Sequence, residues 1–262
     1  MVELNKIYNE NCLITMDKMD NESVDLTVTS PPYDTLREYN GYDFDFRNTA
    51  ERLFRVTKQG CVVVWIVGDA TVDGSETGSS FKQALYFMEC GFNLHDTMIW
   101  EKESFNVPSN NRYHQVFEYM FVFSKGSPKT VNFINDRKSK YAGSKIHGTE
   151  RCADGSTKKI SGGGKIIGES VRRFNVWKIT SSREKIDHPA PFPKKLANDH
   201  IVSWSNNGDV VYDPFMGSGT TAIMCIELNR KYVGSEMSKY YCDMAEDRIM
   251  NIHPSFLWDN KK

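Results

Sequence analysis

Two short strings in this chain carry the groups best suited to chemistry. The first is Thr29-Ser30-Pro31-Pro32-Tyr33, at the end of the apolar run that begins at Val24. Ser30 Oγ and the Pro31 carbonyl are hydrogen-bond acceptors on a turn that two prolines stiffen. Tyr33 offers a ring on which a planar group can stack. Such a turn suits a planar amino group, because acceptors aimed at its two protons draw the nitrogen toward tetrahedral geometry and free its lone pair for attack. The second string is Asp213-Pro214-Phe215-Met216-Gly217-Ser218-Gly219-Thr220-Thr221, after the strand-like Asp209 to Tyr212. Gly217 and Gly219 let the backbone turn tightly and approach a ligand closely. The helix that follows directs N–H groups into the same space. Asp213 ends one strand and is placed to receive a positive group. Glu236 ends the next, where a carboxylate in doubly wound folds accepts bonds from ribose hydroxyls. The string lacks the lysine of a phosphate loop and the Gly-x-Gly-x-x-Gly of nicotinamide enzymes, which disfavours both.

The elements needed to hold these strings alternate. Gly60 to Asp69 is nearly continuous in apolar residues, the pattern of a strand buried on both faces. Leu94 to Trp100, Phe117 to Phe123, Asp209 to Tyr212 and Lys231 to Glu236 read as further strands. An amphipathic helix is predicted over Thr49–Lys58, and further helices over Ser79–Cys90, Lys194–Ser205, Thr220–Leu228 and Lys239–Ile252, the second ending at Gly91. Strands alternating with helices predict a doubly wound, mostly parallel α/β sheet, with ligands bound where strands end and helices begin.

Composition narrows the class. The chain has 262 residues and a formal net charge of −1, which hides an asymmetry. From Ser124 to Lys195 there are 17 Lys and Arg against 6 Asp and Glu; the remainder carries 16 against 28. Gly126 to Gly168 is also polar and glycine-rich, and is predicted as a loop-dominated insertion with a phosphate-binding surface. The boundaries predicted are 1–125 for a catalytic half, 126–175 for the insertion and 176–262 for a cofactor-binding half. No apolar run is long enough for a membrane span, and Met1 to Lys6 has no secretory pattern, so the cytoplasm is the expected compartment. The six cysteines include no Cys-x-x-Cys pair; they read as reduced structural thiols and not as a metal site. His114 and His188 also read as structural.

The two strings resemble those of the amino-group DNA methyltransferases, and their order resembles the permuted β subgroup of that family, over nearly the whole chain. The resemblance implies a Rossmann-like class I methyltransferase fold with S-adenosylmethionine as cofactor. It places Asp213, Phe215, Gly217, Ser218, Gly219, Thr220 and Thr221 around the methionine half of the cofactor, with Glu236 on its ribose. It makes Ser30, Pro31, Pro32 and Tyr33 the catalytic turn, acting on N4 of cytosine or N6 of adenine in a base flipped out of double-stranded DNA. In the family an Asp-Cys pair near the N-terminus touches the cofactor adenine; here it is Asn11-Cys12, without the acidic member. Pro189 to Lys194 resembles another cofactor-side motif, which implies Phe192 and Pro193 at the pocket. Trp100-Glu101-Lys102 and Glu118-Tyr119 resemble later family segments. The resemblance further implies target recognition by the insertion, a bacterial or phage origin, a restriction-modification setting, and a homodimer by analogy. The rivals are an RNA or protein-amide methyltransferase, whose Asn-Pro-Pro-Tyr turn follows the glycine turn, and an inactive DNA-binding regulator on the same fold.

Overall fold

The computed structural model describes residues 2–32, 44–103, 111–180 and 193–252. Along the chain these form β1 (Lys6–Tyr8), α1 (Cys12–Asp17), β2 (Val24–Thr29), α2 (Phe46–Val56), β3 (Thr57–Val67), β4 (Thr71–Val72), β5 (Ser75–Glu76), α3 (Ser79–Glu89), β6 (Asn93–Glu101) and β7 (Phe117–Ser124). There follow β8 (Arg137–Lys138), β9 (Thr149–Arg151), β10 (Thr157–Lys159), β11 (Ser170–Val171), β12 (Val176–Lys178), α4 (Lys194–Trp204), β13 (Val210–Asp213), α5 (Thr220–Glu227), β14 (Lys231–Ser235) and α6 (Lys239–Ile252).

One compact unit comprises residues 1–132 and 175–262. Its sheet runs in the order β1-β14-β13-β2-β3-β7-β6-β12 among the described residues. The pairings are parallel except those of β7, which runs antiparallel to both β3 and β6. β3 lies near the middle, and Val62 through Val67 are all buried, as its unbroken apolar run requires. α5 is buried at every position from Thr220 to Cys225, whereas α2 buries one face. On α2 the buried positions are Thr49, Ala50, Leu53 and Val56, a spacing of three to four residues. Asp45 caps this helix by accepting from Asn48 N at 3.1 Å. At the foot of the sheet, Asp25 on β2 binds Lys58 Nζ of β3 at 2.7 Å and accepts from Val210 N of β13 at 2.9 Å, which ties three strands together.

The chain leaves β2 toward α2 and β3 on one side, and leaves β13 toward α5 and β14 on the other. The strand order therefore reverses between β2 and β13. A crevice opens at such a point, outside the carboxyl ends of the strands.

The second compact unit is Phe133–Phe174. The insertion was expected from residue 126 and as loop-dominated; the compact unit begins at Phe133, and most of its residues do lie outside strands. Residues 125–132 are held by the sheet unit: Lys125 Nζ donates to the carbonyls of Phe54 and Thr57 at 3.0 Å, and Asn132 Nδ2 to that of Val202 at 3.1 Å. The unit itself is a two-stranded antiparallel ribbon. β8 pairs with β11, Lys145 bridges Ile166, and β9 pairs with β10 before the turn at Asp154-Gly155. Glycines and lysines hide this ribbon from hydrophobic patterning, since no face is buried to enforce alternation. None of its described apolar side chains is buried; Tyr141 and Ile166 are each 69% exposed. Cross-strand contacts hold its base instead. The Arg137 guanidinium lies over Phe174 at 4.0 Å and that of Arg172 over Phe133 at 3.3 Å, while Arg173 pairs with Asp136.

Candidate functional site

The crevice gathers the two strings. β2 ends at Thr29, directly before Ser30, Pro31 and Pro32, and β13 ends at Asp213. The backbone ladder between them pairs Val211 with Leu26 and Tyr212 with Thr27. Beyond that a side-chain bond joins them: Thr29 Oγ1 donates to Asp213 Oδ1 at 2.6 Å. Pro31 is buried, Ser30 and Pro32 are half-buried at the crevice. Tyr33, like Phe192 and His188, lies outside the described residues.

The sequence suggests Asp213 as a receiver of positive charge from a ligand. Its carboxylate is in fact claimed from within the chain. Besides Thr29, Phe215 N donates to Oδ1 at 3.0 Å and Thr221 Oγ1 to Oδ2 at 2.6 Å. Asp213 is only 1% exposed. Burial pushes its carboxyl above the usual carboxylate range, and the bonds from Thr221, Thr29 and the Phe215 amide oppose that rise.

The glycine turn follows. Gly217 has φ +52° and Gly219 φ +82°, both in the left-handed region where a side chain is strained. The sequence assigns the two glycines to ligand approach. Gly219 serves packing as well, because a Cβ there would meet Ala245 Cβ of α6 at 2.8 Å. Ser218, Thr220 and Thr221 are buried. Arg248 of α6 binds the Ser218 carbonyl. The first-turn N–H groups of α5 have no carbonyl four residues back and face this turn. Phe215 is half-buried, edge-on to Phe44 at 5.2 Å and to Trp65 at 6.2 Å, so the turn is anchored on an aromatic cluster of the core.

Glu236 stands past the end of β14. Its Oε2 accepts from Gly217 N and its Oε1 from Ser238 N, each at 2.8 Å. Burial raises this carboxyl too, opposed by the Ser238 and Gly217 amides. Among the described residues no Lys or Arg pairs with Asp213 or Glu236. Two acidic side chains therefore stand at this part of the crevice with no cationic partner among the described residues.

The segment just before the Asn11-Cys12 pair sits beside Glu236. The Glu236 amide donates to the Tyr8 carbonyl at 2.9 Å, and Asn9 Nδ2 donates to the carbonyls of Glu236 and Met237 at 2.9 and 3.0 Å. Asn11 caps α1 by accepting from Leu13 N at 2.9 Å. Cys12 points inward, 3.9 Å from Thr49 Oγ1, and burial pushes its thiol up to about 11. Pro193 is buried at the start of α4, where its carbonyl accepts from Leu196 and Ala197. Trp100 serves the sheet: its indole N–H donates to the Ile179 carbonyl at 2.8 Å.

Sequence reasoning missed Thr29, Asn9 and Ala245. Thr29 left a signal, since a hydroxyl at the buried end of an apolar strand requires a partner. Asn9 and Ala245 left none, because their roles depend on segments more than two hundred and about two dozen residues away.

Comparison with known proteins adds independent findings. A family profile described as DNA methylase, of the N6/N4 methyltransferase type, matches residues 24–247. The orphan methyltransferase M.BamHII of Bacillus amyloliquefaciens is 58% identical over 238 residues, covering 87% of this chain and 89% of that protein. The type II methyltransferase M1.MboII of Moraxella bovis is 27% identical, covering 94% and 96%. Among solved structures, the M1.HpyAVI–SAM complex superposes with a TM-score of 0.62 at 24% identity, covering 93% of this chain and 98% of that one. The cytosine-N4-specific PvuII DNA methyltransferase superposes with a TM-score of 0.67 at 19% identity, covering 97% and 93%.

Proposed function

The chain belongs to the N6/N4 DNA methylase family, and from that membership we propose the roles of its residues in a site-specific methylation of DNA. It is a DNA amino-methyltransferase that uses S-adenosylmethionine. The observation that carries the assignment of roles is the crevice between β2 and β13, which sets the Ser30-Pro31 acceptors beside the glycine turn.

The pocket suits this cofactor. Asp213 and Glu236 supply negative charge with no cationic partner among the described residues, the complement of a sulfonium and an ammonium. The N-terminus of α5 suits the cofactor's carboxylate, and Glu236 the ribose hydroxyls. Gly217, Ser218, Gly219, Thr220, Thr221 and Phe215 wall the methionine half; Asn11 and Cys12 are assigned to the adenine side, and Phe192 and Pro193 to the pocket wall. When bound, the cofactor supplies an electrophilic methyl group. Ser30 Oγ and the Pro31 carbonyl accept the two amino protons of the target base and direct its lone pair. Pro31 and Pro32 keep those acceptors fixed, and Tyr33 stacks on the flipped base, a contact worth about 1–3 kcal/mol. The amino proton passes to solvent, and no histidine is needed.

The ribbon Phe133–Phe174 is the target-recognition arm in this reading. It carries 10 Lys and Arg against 4 Asp and Glu, and a two-stranded ribbon fits the major groove. The order of the two strings, with this arm between them, supports the permuted β subgroup. Ser at the first position of the catalytic turn favours cytosine N4 over adenine N6. No described helix is long and apolar enough to cross a membrane. We place the protein in the cytoplasm with its DNA, and a homodimer rests on family analogy.

Mass spectrometry of nucleosides from DNA incubated with protein and S-adenosylmethionine tests the reading. N4-methylcytosine is expected; N6-methyladenine would correct the base, and neither product would overturn the function. Ser30→Ala should lower the methylation rate about 10²- to 10³-fold, the usual loss for one preorganised polar contact to the reacting group.

A further inference from the structure

We propose that Thr29 is a positioning residue for methyl transfer, acting through Asp213 to fix the amino-holding turn against the cofactor loop; this rests on the DNA methyltransferase reading above. The backbone ladder between β2 and β13 reaches Tyr212 and Thr27. Past it the two strands connect to opposite sides of the sheet, and among the described residues no further backbone pairing joins the two rims of the crevice. The Thr29–Asp213 bond, 2.6 Å long and buried, spans that gap.

The bond sits at a junction. Thr29 is the residue before Ser30, so its side chain fixes the root of the catalytic turn. Asp213 is the residue before the glycine string, and its other bonds go to the Phe215 amide and the Thr221 hydroxyl at the head of α5. One carboxylate thus holds the roots of both loops and the helix that faces the cofactor. Thr29 is fully buried and cannot touch substrate. Its effect is on distance and angle between two reacting partners bound to different halves of the sheet. In-line transfer is sensitive to that geometry: a displacement near 1 Å can cost about 10²-fold in rate.

Thr29→Val keeps shape and volume and removes the hydroxyl. Its single-turnover methylation rate, with DNA and cofactor saturating, should fall about 10- to 100-fold. Equilibrium affinities for S-adenosylmethionine and for DNA, read by calorimetry, should change less than about threefold, because the loops themselves stay intact. Thr29→Ser retains the donor and should recover most of the rate. In the cofactor-free protein, amide exchange should quicken in Thr29→Val at both residues 28–30 and residues 215–221, and not in Thr29→Ser. A wild-type rate in Thr29→Val overturns the proposal. So does a fall in cofactor affinity that matches the fall in rate, or faster exchange confined to one of the two segments. The exchange arm needs no turnover, so a wild-type protein that methylates no DNA would sink the functional reading and leave this bridge to be judged on exchange alone.

Discussion

Replacing Gly219 by Ala probes how the glycine loop after β13 is built. Two costs follow from the structure. The backbone at Gly219 has φ +82°, and holding an L-residue in the left-handed region costs about 1–2 kcal/mol. The new Cβ would lie 2.8 Å from Ala245 Cβ, 3.2 Å from Ala245 Cα and 3.5 Å from Ala245 O. Two of those atoms are helix backbone, so the contact cannot be relieved by a rotamer change, and overpacking of this kind costs about 1–3 kcal/mol. The sum is about 2–5 kcal/mol, which for a chain of this size lowers the thermal midpoint by roughly 4–20 °C. The two costs separate in a double-mutant cycle. Ala245→Gly removes the atom at 2.8 Å and leaves the φ strain, at its own cost of about 1 kcal/mol for glycine inside α6. The double variant should therefore be more stable than the two single changes add up to, by about 1–2 kcal/mol. Urea denaturation of the four proteins measures this. A Gly219→Ala variant within about 0.5 kcal/mol of wild type, or a cycle with no coupling, would refute the view that this glycine exists to let α6 against the loop.

Other outcomes follow from the same geometry. Asp213→Asn should weaken cofactor binding about 10- to 100-fold, the range for losing one charged-group interaction, without lowering the thermal midpoint at neutral pH. Because burial raises the Asp213 pKa, its ionisation subtracts stability as pH rises through the folded value, so the Asn variant should gain on wild type from acid toward neutral pH. Calorimetry and a thermal melt series read the two halves of that expectation. Removing Lys158 and Lys159 together by alanine substitution should weaken binding equally across DNA sequences and reduce the salt slope of log affinity by about 1–2, measured by fluorescence anisotropy across a salt series. Cys12, with its thiol pushed up to about 11, should resist iodoacetamide in the folded protein at mildly alkaline pH and react on unfolding, as read by peptide mass spectrometry.

Elements whose burial dictates their pattern were legible in sequence. The apolar run of β3 and the three-to-four spacing on α2 each report one physical constraint, and the structure bears both out. The strings around Ser30 and Gly217 were legible because prolines and glycines restrict backbone directly. The ribbon Phe133–Phe174 was not legible, since nothing in it is buried and its register is set by turns and by paired Arg–Phe contacts. Asp213 was legible as a strand-end carboxylate but not as a bonded one. Its donors are Thr29, 184 residues earlier, and Thr221, eight residues later, and only the sheet order brings the first of these to it.

That sheet order explains why the sequence of the two strings along the chain matters little to the chemistry. A crevice at a switch point is defined by which strands are neighbours and where their connections go. β2 and β13 are neighbours here whichever is made first, and each supplies one rim. What must survive any reordering is the set of contacts that the backbone cannot make there. In this chain they converge on one buried carboxylate, which bridges the rims through Thr29 and Thr221 and also leaves the glycine loop with negative charge that no described lysine or arginine neutralises. Those two duties pull the side chain in different directions. An asparagine could still take part in a bridge between the rims but would carry no charge, whereas a carboxylate exposed to water would keep its charge but lose the bridge. Aspartate buried against hydroxyls does both, at the expense of the desolvation that raises its pKa.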